Sequence, residues 1–204
     1  MKINKKKFIY LISPNNITFK FYQNLKEVLS TGKVSFFQMR FKKYPYEKKI
    51  LIGKKIRKIC EKYNVKFLIN DNPLLAKKLN ADGCHLGQKD THINEARKIL
   101  GDKIIGITCH NSIKLAKTAI KHKANYIAFG AFFSSKTKKP KFKATSAILN
   151  KAKKLTKTPL VAIGGINNDN YKKLLLNNAN FLAISGYIWN NKKYKPLKAI
   201  EKLK

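Results

Sequence analysis

Short apolar runs recur along the chain at Phe8–Ile12, Val34–Phe37, Val65–Ile69, Gly83–Leu86, Ile104–Ile107, Tyr126–Phe129, Leu160–Ile163 and Phe181–Ile184. Each has the length of a strand and is followed by a Lys-rich segment of helical period, as at Ile50, Ile56, Ile59 and Tyr63, or Ile113, Leu115, Ala116, Ala119 and Ile120. Alternation of this kind predicts a parallel sheet covered by helices, because parallel neighbours need crossover connections that bury both sheet faces. Eight units without a reversal of order favour closure into a (β/α)8 TIM barrel over an open sheet, and 204 residues lie near the lower limit for that fold. No linker or low-complexity segment divides the chain, so 1–204 reads as one domain with its chemistry at the C-terminal ends of the strands.

Charge changes this picture less than its size suggests. The chain carries 45 Lys plus Arg against 10 Asp plus Glu, a formal +35, which attracts nucleic acid, anionic membrane or phosphorylated metabolites alike. Only Arg40, Arg57 and Arg97 are arginines, and the lysines are spread over every helical segment. Specific nucleic-acid readers rely on the bidentate fork of Arg, so this Lys-rich, Asn-rich, Arg-poor pattern reads as a compositional drift and argues against a dedicated nucleic-acid role. A basic, non-catalytic nucleic-acid-binding barrel is kept as the alternative of a different class. Cys60, Cys84 and Cys109 are odd in number and lack CxxC spacing, which argues against disulfides or zinc and for a reducing, cytoplasmic setting. No stretch approaches the ~20 apolar residues that would cross a bilayer, and the apolar run after the basic N-terminus is too short for a signal peptide. A monomer and a homo-oligomer are both compatible with the sequence.

The strand ends carry the candidate chemistry. Ile69 is followed by Asn70-Asp71, and the next run by Gly87-Gln88-Lys89-Asp90, so two acids stand just past two consecutive strands. If those strands are parallel neighbours about 4.8 Å apart, Asp71 and Asp90 emerge on one edge of the sheet. Paired oxygen ligands suit a hard divalent ion that also holds a phosphate. The alternative is a turn acid before Pro73 and a cap for the helix near Thr91. After the second run, period 2 sends Gln38, Arg40 and Lys42 to one face, where an Arg requires an anion or an acid. Thr108 and His110 are expected to face the mouth, with Asn111 or Ser112 capping the next helix. The Gly130–Pro140 loop interleaves hydroxyls and lysines, including Ser135, Thr137 and Lys138. Gly164-Gly165 and Ser185-Gly186 end the seventh and eighth runs, the usual phosphate-binding positions of such barrels.

With these residues collected, the sequence resembles the thiamine phosphate synthase family from Tyr10 to about Trp189. The likeness rests on QMRFK at 38–42, IND at 69–71, ADGCHLGQKD at 81–90, GITCHN at 106–111, GAFFSSKTKK at 130–139 and AIGGI at 162–166. It implies coupling of hydroxymethylpyrimidine diphosphate with thiazole phosphate, giving thiamine phosphate and pyrophosphate by a dissociative route. In this family Gln38, Arg40, Lys42, Asn70, His85, Thr108 and Lys138 would stand at the pyrimidine diphosphate, with Arg40, Lys42, Lys138 and Thr108 catalytic. Asp71 and Asp90 would hold Mg2+. Ser135, Thr137, Gly164, Gly165, Ser185 and Gly186 would receive the thiazole phosphate, and His110 would complete the binding set. Ser185-Gly186-Tyr187 departs from the family's more usual apolar-Ser-small turn. A thiazole tautomerase of the same fold is the nearest rival; it would use His110 for proton transfer and need no diphosphate clamp.

Overall fold

The computed structural model describes residues 7–134 and 142–204. Its eight strands are β1 (Ile9–Ile12), β2 (Val34–Met39), β3 (Lys66–Asn70), β4 (Gly83–Leu86), β5 (Ile104–His110), β6 (Tyr126–Gly130), β7 (Leu160–Ile163) and β8 (Phe181–Ile184). They close in chain order, all parallel, β8 pairing back onto β1. The helices are α1 (Phe21–Ser30), α2 (Tyr46–Lys62), α3 (Pro73–Lys78), α4 (Ile93–Leu100), α5 (Ile113–Lys121), α6 (Ser146–Leu155), α7 (Tyr171–Leu176), α8 (Gly186–Trp189) and α9 (Pro196–Glu201). The TIM barrel expected from eight strand-helix units is therefore present. β2 and β5 run past their apolar stretches, because the ladder continues through Gln38 and Thr108 even where side chains turn polar.

Alternation along the strands separates two apolar layers. Outward residues such as Leu11, Phe37, Phe67, Ile105 and Ile127 pack under the helices. Inward residues Tyr10, Ile12, Phe36, Leu68, Tyr126, Ala128, Val161, Phe181 and Ala183 fill the barrel itself. Gly106 sits opposite Tyr126 in the β5–β6 register, and a Cβ there would fall inside the Tyr126 ring. The ring occupies the interior only because position 106 has no side chain.

One end of the barrel is closed by a repeated device. After α2, α3, α5 and α7 the chain turns through a left-handed residue, namely Asn64, Asn80, Lys123 and Asn178. The next amide then bonds five residues back, Val65 to Cys60, Ala81 to Ala76, Ala124 to Ala119 and Ala179 to Leu174. This is the Schellman arrangement, which satisfies the last helical carbonyls. Three of the turns continue into Asp82, Asn125 and Asn180, whose side chains accept amides near the starts of neighbouring strands, Phe67, Ile105 and Leu160, at 2.8–2.9 Å. Asp82 also pairs with Arg57 at 2.6 Å. The repeat is visible in the sequence as NAD, KAN and NAN before three strands. It lies at the strands' N-terminal ends, opposite the site, where it serves stability.

Lys123 is the one member of this set with a side chain that does not favour φ > 0. Left-handed strain for such a residue is about 1–2 kcal/mol, whereas glycine's extra unfolded-state entropy costs about 0.4–1 kcal/mol. Lys123→Gly is therefore expected to stabilise the fold by about 0.5–1 kcal/mol, read as a higher urea midpoint at constant m-value. An unchanged or lower midpoint would contradict this.

Candidate active site

A chain of hydrogen bonds crosses the barrel interior. Gln38 Nε2 donates to the Tyr10 hydroxyl at 3.1 Å, and the Tyr10 and Tyr126 hydroxyls bond at 2.8 Å. Tyr126 bonds His85 Nδ1 at 2.8 Å, and His85 Nε2 bonds Thr108 Oγ1 at 2.8 Å. Five side chains from β2, β1, β6, β4 and β5 are thus joined in series within an otherwise apolar barrel. Burying such groups is tolerated only when each finds a partner. Desolvation raises both tyrosine pKa values above the usual phenol value, which keeps the hydroxyls protonated. Burial lowers His85 to about 4, opposed by the Asp71 charge and reinforced by Arg40, so its imidazole is neutral at physiological pH.

Just beyond this chain stand the carboxylates. β3 and β4 are parallel neighbours, as their pairing Asn70 to His85 shows, and Asp71 follows β3 directly. Asp71 takes a left-handed backbone, φ 63°, while its amide still bonds the His85 carbonyl at 2.8 Å. A non-glycine residue held there marks a position constrained by its surroundings. Lys42 Nζ meets Asp71 Oδ2 at 3.0 Å. Asp90 Oδ2 accepts the Gly87 amide at 2.7 Å, and a Cβ on Gly87 would meet that oxygen at 2.9 Å, so glycine lets the carboxylate approach. Asp90 does not cap α4; His92 does, accepting the Asn94 amide at 3.3 Å. Desolvation raises the Asp90 pKa, the Gly87 amide opposes it, and the Asp71 carboxyl beside it raises it further. Two hard oxygen donors that crowd one another in this way fit a divalent cation. Among the described residues no cluster of three or more His, Cys, Asp or Glu could hold a metal, so such an ion would complete its shell with substrate oxygens and water.

The cationic residues reach the same rim from β2. Ser13 joins three strand ends: its amide bonds the Gln38 carbonyl at 3.0 Å, its hydroxyl accepts the Arg40 amide at 2.9 Å, and its carbonyl accepts the Ser185 hydroxyl at 3.0 Å. Among the described residues Arg40 makes no ion pair, and Asp71, an acid on the same rim, pairs with Lys42 instead. A cavity of about 320 Å³ bordered by Lys42, Asn70 and Asp71 opens beside that pair.

The other expected residues are arranged less simply. A bulge in the β5–β6 register falls between Thr108 and His110, and His110 has φ 51°. Alternation from Thr108 therefore does not carry through to His110, whose ring stacks on Phe142 at 4.3 Å between centroids. Ser112, one of the two candidate caps, accepts the Leu115 amide at 3.2 Å. Gly164 and Gly165 both have positive φ, 107° and 62°. They also admit the loop after β6, whose Phe132 and Phe133 amides bond Ile163 and Gly164 carbonyls at 3.1 Å. Asn167 Oδ1 accepts the Asp169 and Asn170 amides at 2.9 and 3.2 Å, occupying donors that an anion at the start of α7 would use. The Ser185 hydroxyl proton is directed at Ser13, so an anion there competes with that bond. Gly186 opens α8. Ser135, Thr137 and Lys138 lie outside the described residues.

Residues that strand-end reading passes over are Tyr10, Tyr126, Ser13 and Gln88. The signal for the tyrosines was their inward parity, since a phenol inside a barrel must have a hydrogen-bond partner. Gln88 Nε2 donates to the Thr108 carbonyl at 2.5 Å and ties the β4 loop to β5. All three cysteines are buried and unpaired as thiols, and burial pushes Cys109 up to about 12, so none acts as a nucleophile.

Cationic, carboxylate and hydroxyl groups gathered at the C-terminal ends of parallel barrel strands define a TIM-barrel enzyme. The family described as thiamine monophosphate synthase matches residues 9–188. A thiamine-phosphate synthase from Pelagibacter ubique is 67% identical over 100% of both chains. One from Rhodospirillum centenum is 40% identical over 90% of this chain and 89% of its own. The solved thiamine phosphate pyrophosphorylase of Pyrococcus furiosus superposes with a TM-score of 0.85 at 30% identity, covering 98% and 94% of the two chains. The chain belongs to the thiamine monophosphate synthase family, and it is a transferase of thiamine biosynthesis. Among the described residues no helix is long and apolar enough to cross a membrane.

Neutral His85 has a consequence for stability. Its folded pKa of about 4 lies below the ordinary 6.5, so between these values the unfolded chain binds a proton that the folded chain does not. This contribution is present in full above pH 6.5 and is lost as pH falls towards 4, about 2 kcal/mol of it between pH 7 and 5. Urea unfolding at the two pH values should show this drop, and His85→Gln should flatten it. Equal pH slopes for the two proteins would contradict a neutral buried His85.

Proposed function

We propose that the chain joins hydroxymethylpyrimidine diphosphate to thiazole phosphate, forming thiamine phosphate and pyrophosphate, with Mg2+ held by Asp71 and Asp90. The observation that carries this is the crowded carboxylate pair beside Lys42, with Arg40 on the same rim. Breaking the carbon–oxygen bond to pyrophosphate builds negative charge on the leaving group. Fixed positive charge there stabilises the transition state more than the ground state. Arg40 and Lys42 supply that charge from β2 and its loop, and Lys138 joins them by resemblance to the family. Mg2+, when bound, would neutralise diphosphate oxygens as a Lewis acid.

The pyrimidine lies against Gln38, Asn70, His85 and Thr108, where neutral hydrogen-bonding groups match a neutral heterocycle. A thiazole nitrogen is itself the nucleophile, so no general base is required, in keeping with a buried His85 and inert thiols. The thiazole phosphate is received by Gly164, Gly165, Ser185 and Gly186, with Ser135 and Thr137 assigned by resemblance, and His110 borders the same mouth. The Ser185–Ser13 bond must then exchange on binding. We read the chain as one domain, a monomer or homo-oligomer in a reducing cytoplasm, with small-molecule partners and neither a membrane nor a specific nucleic-acid partner. Buried thiols and scarce arginine support this setting.

Replacing single members of the site separates this function from a tautomerase. Asp90→Ala is expected to lower Mg2+-dependent coupling by about 10²-fold or more, and His110→Ala by less than about 10-fold. Steady-state rates with both substrates decide it: the reverse ranking would favour a proton-moving enzyme.

A further inference from the structure

We propose that Tyr126 is a positioning residue that holds His85 as its Nε2–H tautomer and thereby turns the Thr108 hydroxyl proton outward, towards the substrate. The inference follows from counting protons along the buried chain. Gln38 presents its amide nitrogen to Tyr10, a group that can only donate. The Tyr10 oxygen is the acceptor of that bond, so its single proton must go to Tyr126. The Tyr126 oxygen is then an acceptor as well, and its own proton goes to His85 Nδ1. With Nδ1 accepting, a neutral imidazole carries its proton on Nε2 and donates to Thr108 Oγ1. Thr108 accepts there and keeps one proton to give.

The count also excludes a doubly protonated ring. An imidazolium would donate to Tyr126 and to Thr108, and one of the two phenolic protons would be left without an acceptor inside the barrel. Such an orphan costs about 1–3 kcal/mol. Among the described residues, the only buried side-chain polar atom without a partner is the Tyr187 hydroxyl, far along the chain on α8. Ring packing supports the same arrangement: Tyr126 stacks on His85 at 14° between planes, with centroids 5.6 Å apart. Gly106 opposite Tyr126 leaves the space that this stacking needs.

The ligand chemistry that matches is a hydrogen-bond acceptor at Thr108, such as an unprotonated ring nitrogen or a phosphate oxygen. That last step rests on the proposed function; the tautomer does not. The test is long-range 1H–15N correlation NMR on ligand-free protein labelled with 15N-histidine, the His85 signals being identified by their loss in His85→Gln. The expected spectrum shows one tautomer, with Nε2 protonated and Nδ1 bare but hydrogen-bonded. In Tyr126→Phe the Nδ1 signal should move to its unbonded position, and KM for the pyrimidine diphosphate should rise about 3- to 10-fold, the worth of one hydrogen bond. A wild-type spectrum with Nδ1 protonated would overturn the proposal. So would His85 nitrogen shifts that do not change in Tyr126→Phe. A wild-type enzyme without coupling activity would defeat the proposed function and leave the tautomer result standing.

Discussion

A polar chain that runs from the apolar barrel interior to its partly exposed His85–Thr108 end is the constraint on which the site depends. Gln38, Tyr10, Tyr126, His85 and Thr108 come from five strands and hold one another at 2.8–3.1 Å. Each is satisfied only if all five strands keep their register, because a slip of one residue would turn the polar set into the helical layer. The chain therefore fixes the barrel's geometry just below the rim that carries Asp71. It also fixes chemistry: with both ring nitrogens engaged and desolvation lowering its pKa, His85 is neutral at physiological pH.

Above this floor the charged groups are placed by strand ends and short turns. Asp71 is aimed by a left-handed backbone, Asp90 by the close approach that Gly87 permits, and Arg40 by the Ser13 hydroxyl on its amide. Opposite charges share one rim, where Lys42 pairs with Asp71 at 3.0 Å. In the proposed function these crowded carboxylates would hold the divalent cation. At the opposite rim, Schellman turns and Asp82, Asn125 and Asn180 side chains close every bond they can reach.

Much of this was legible in the sequence because strand ends in a parallel barrel are an address. β4, β7 and β8 lie where their apolar runs predict, and Asp71 and Asp90 converge as neighbouring parallel strands require. Legibility failed where period 2 was the only guide. A bulge beside Cys109 separates His110 from Thr108's parity, and no run of apolar letters announces a bulge. Tyr10 and Tyr126 fall inside apolar runs, where a strand pattern scores their rings and ignores their hydroxyls. Gly106 acts through Tyr126, and Ser13 through Gln38, Arg40 and Ser185, and such reasons appear only once the chain is folded. The glycine pair 164–165 has a second use, admission of the loop after β6, which spacing alone does not reveal.

In the proposed function this rim expels pyrophosphate as it joins two heterocycles. Phosphorus-31 NMR of purified protein supplied with both substrates and Mg2+ reads both products at once. The account predicts thiamine phosphate and pyrophosphate appearing one for one, and neither when EDTA is present. Pyrophosphate released without thiamine phosphate, or coupling that survives EDTA, would contradict it.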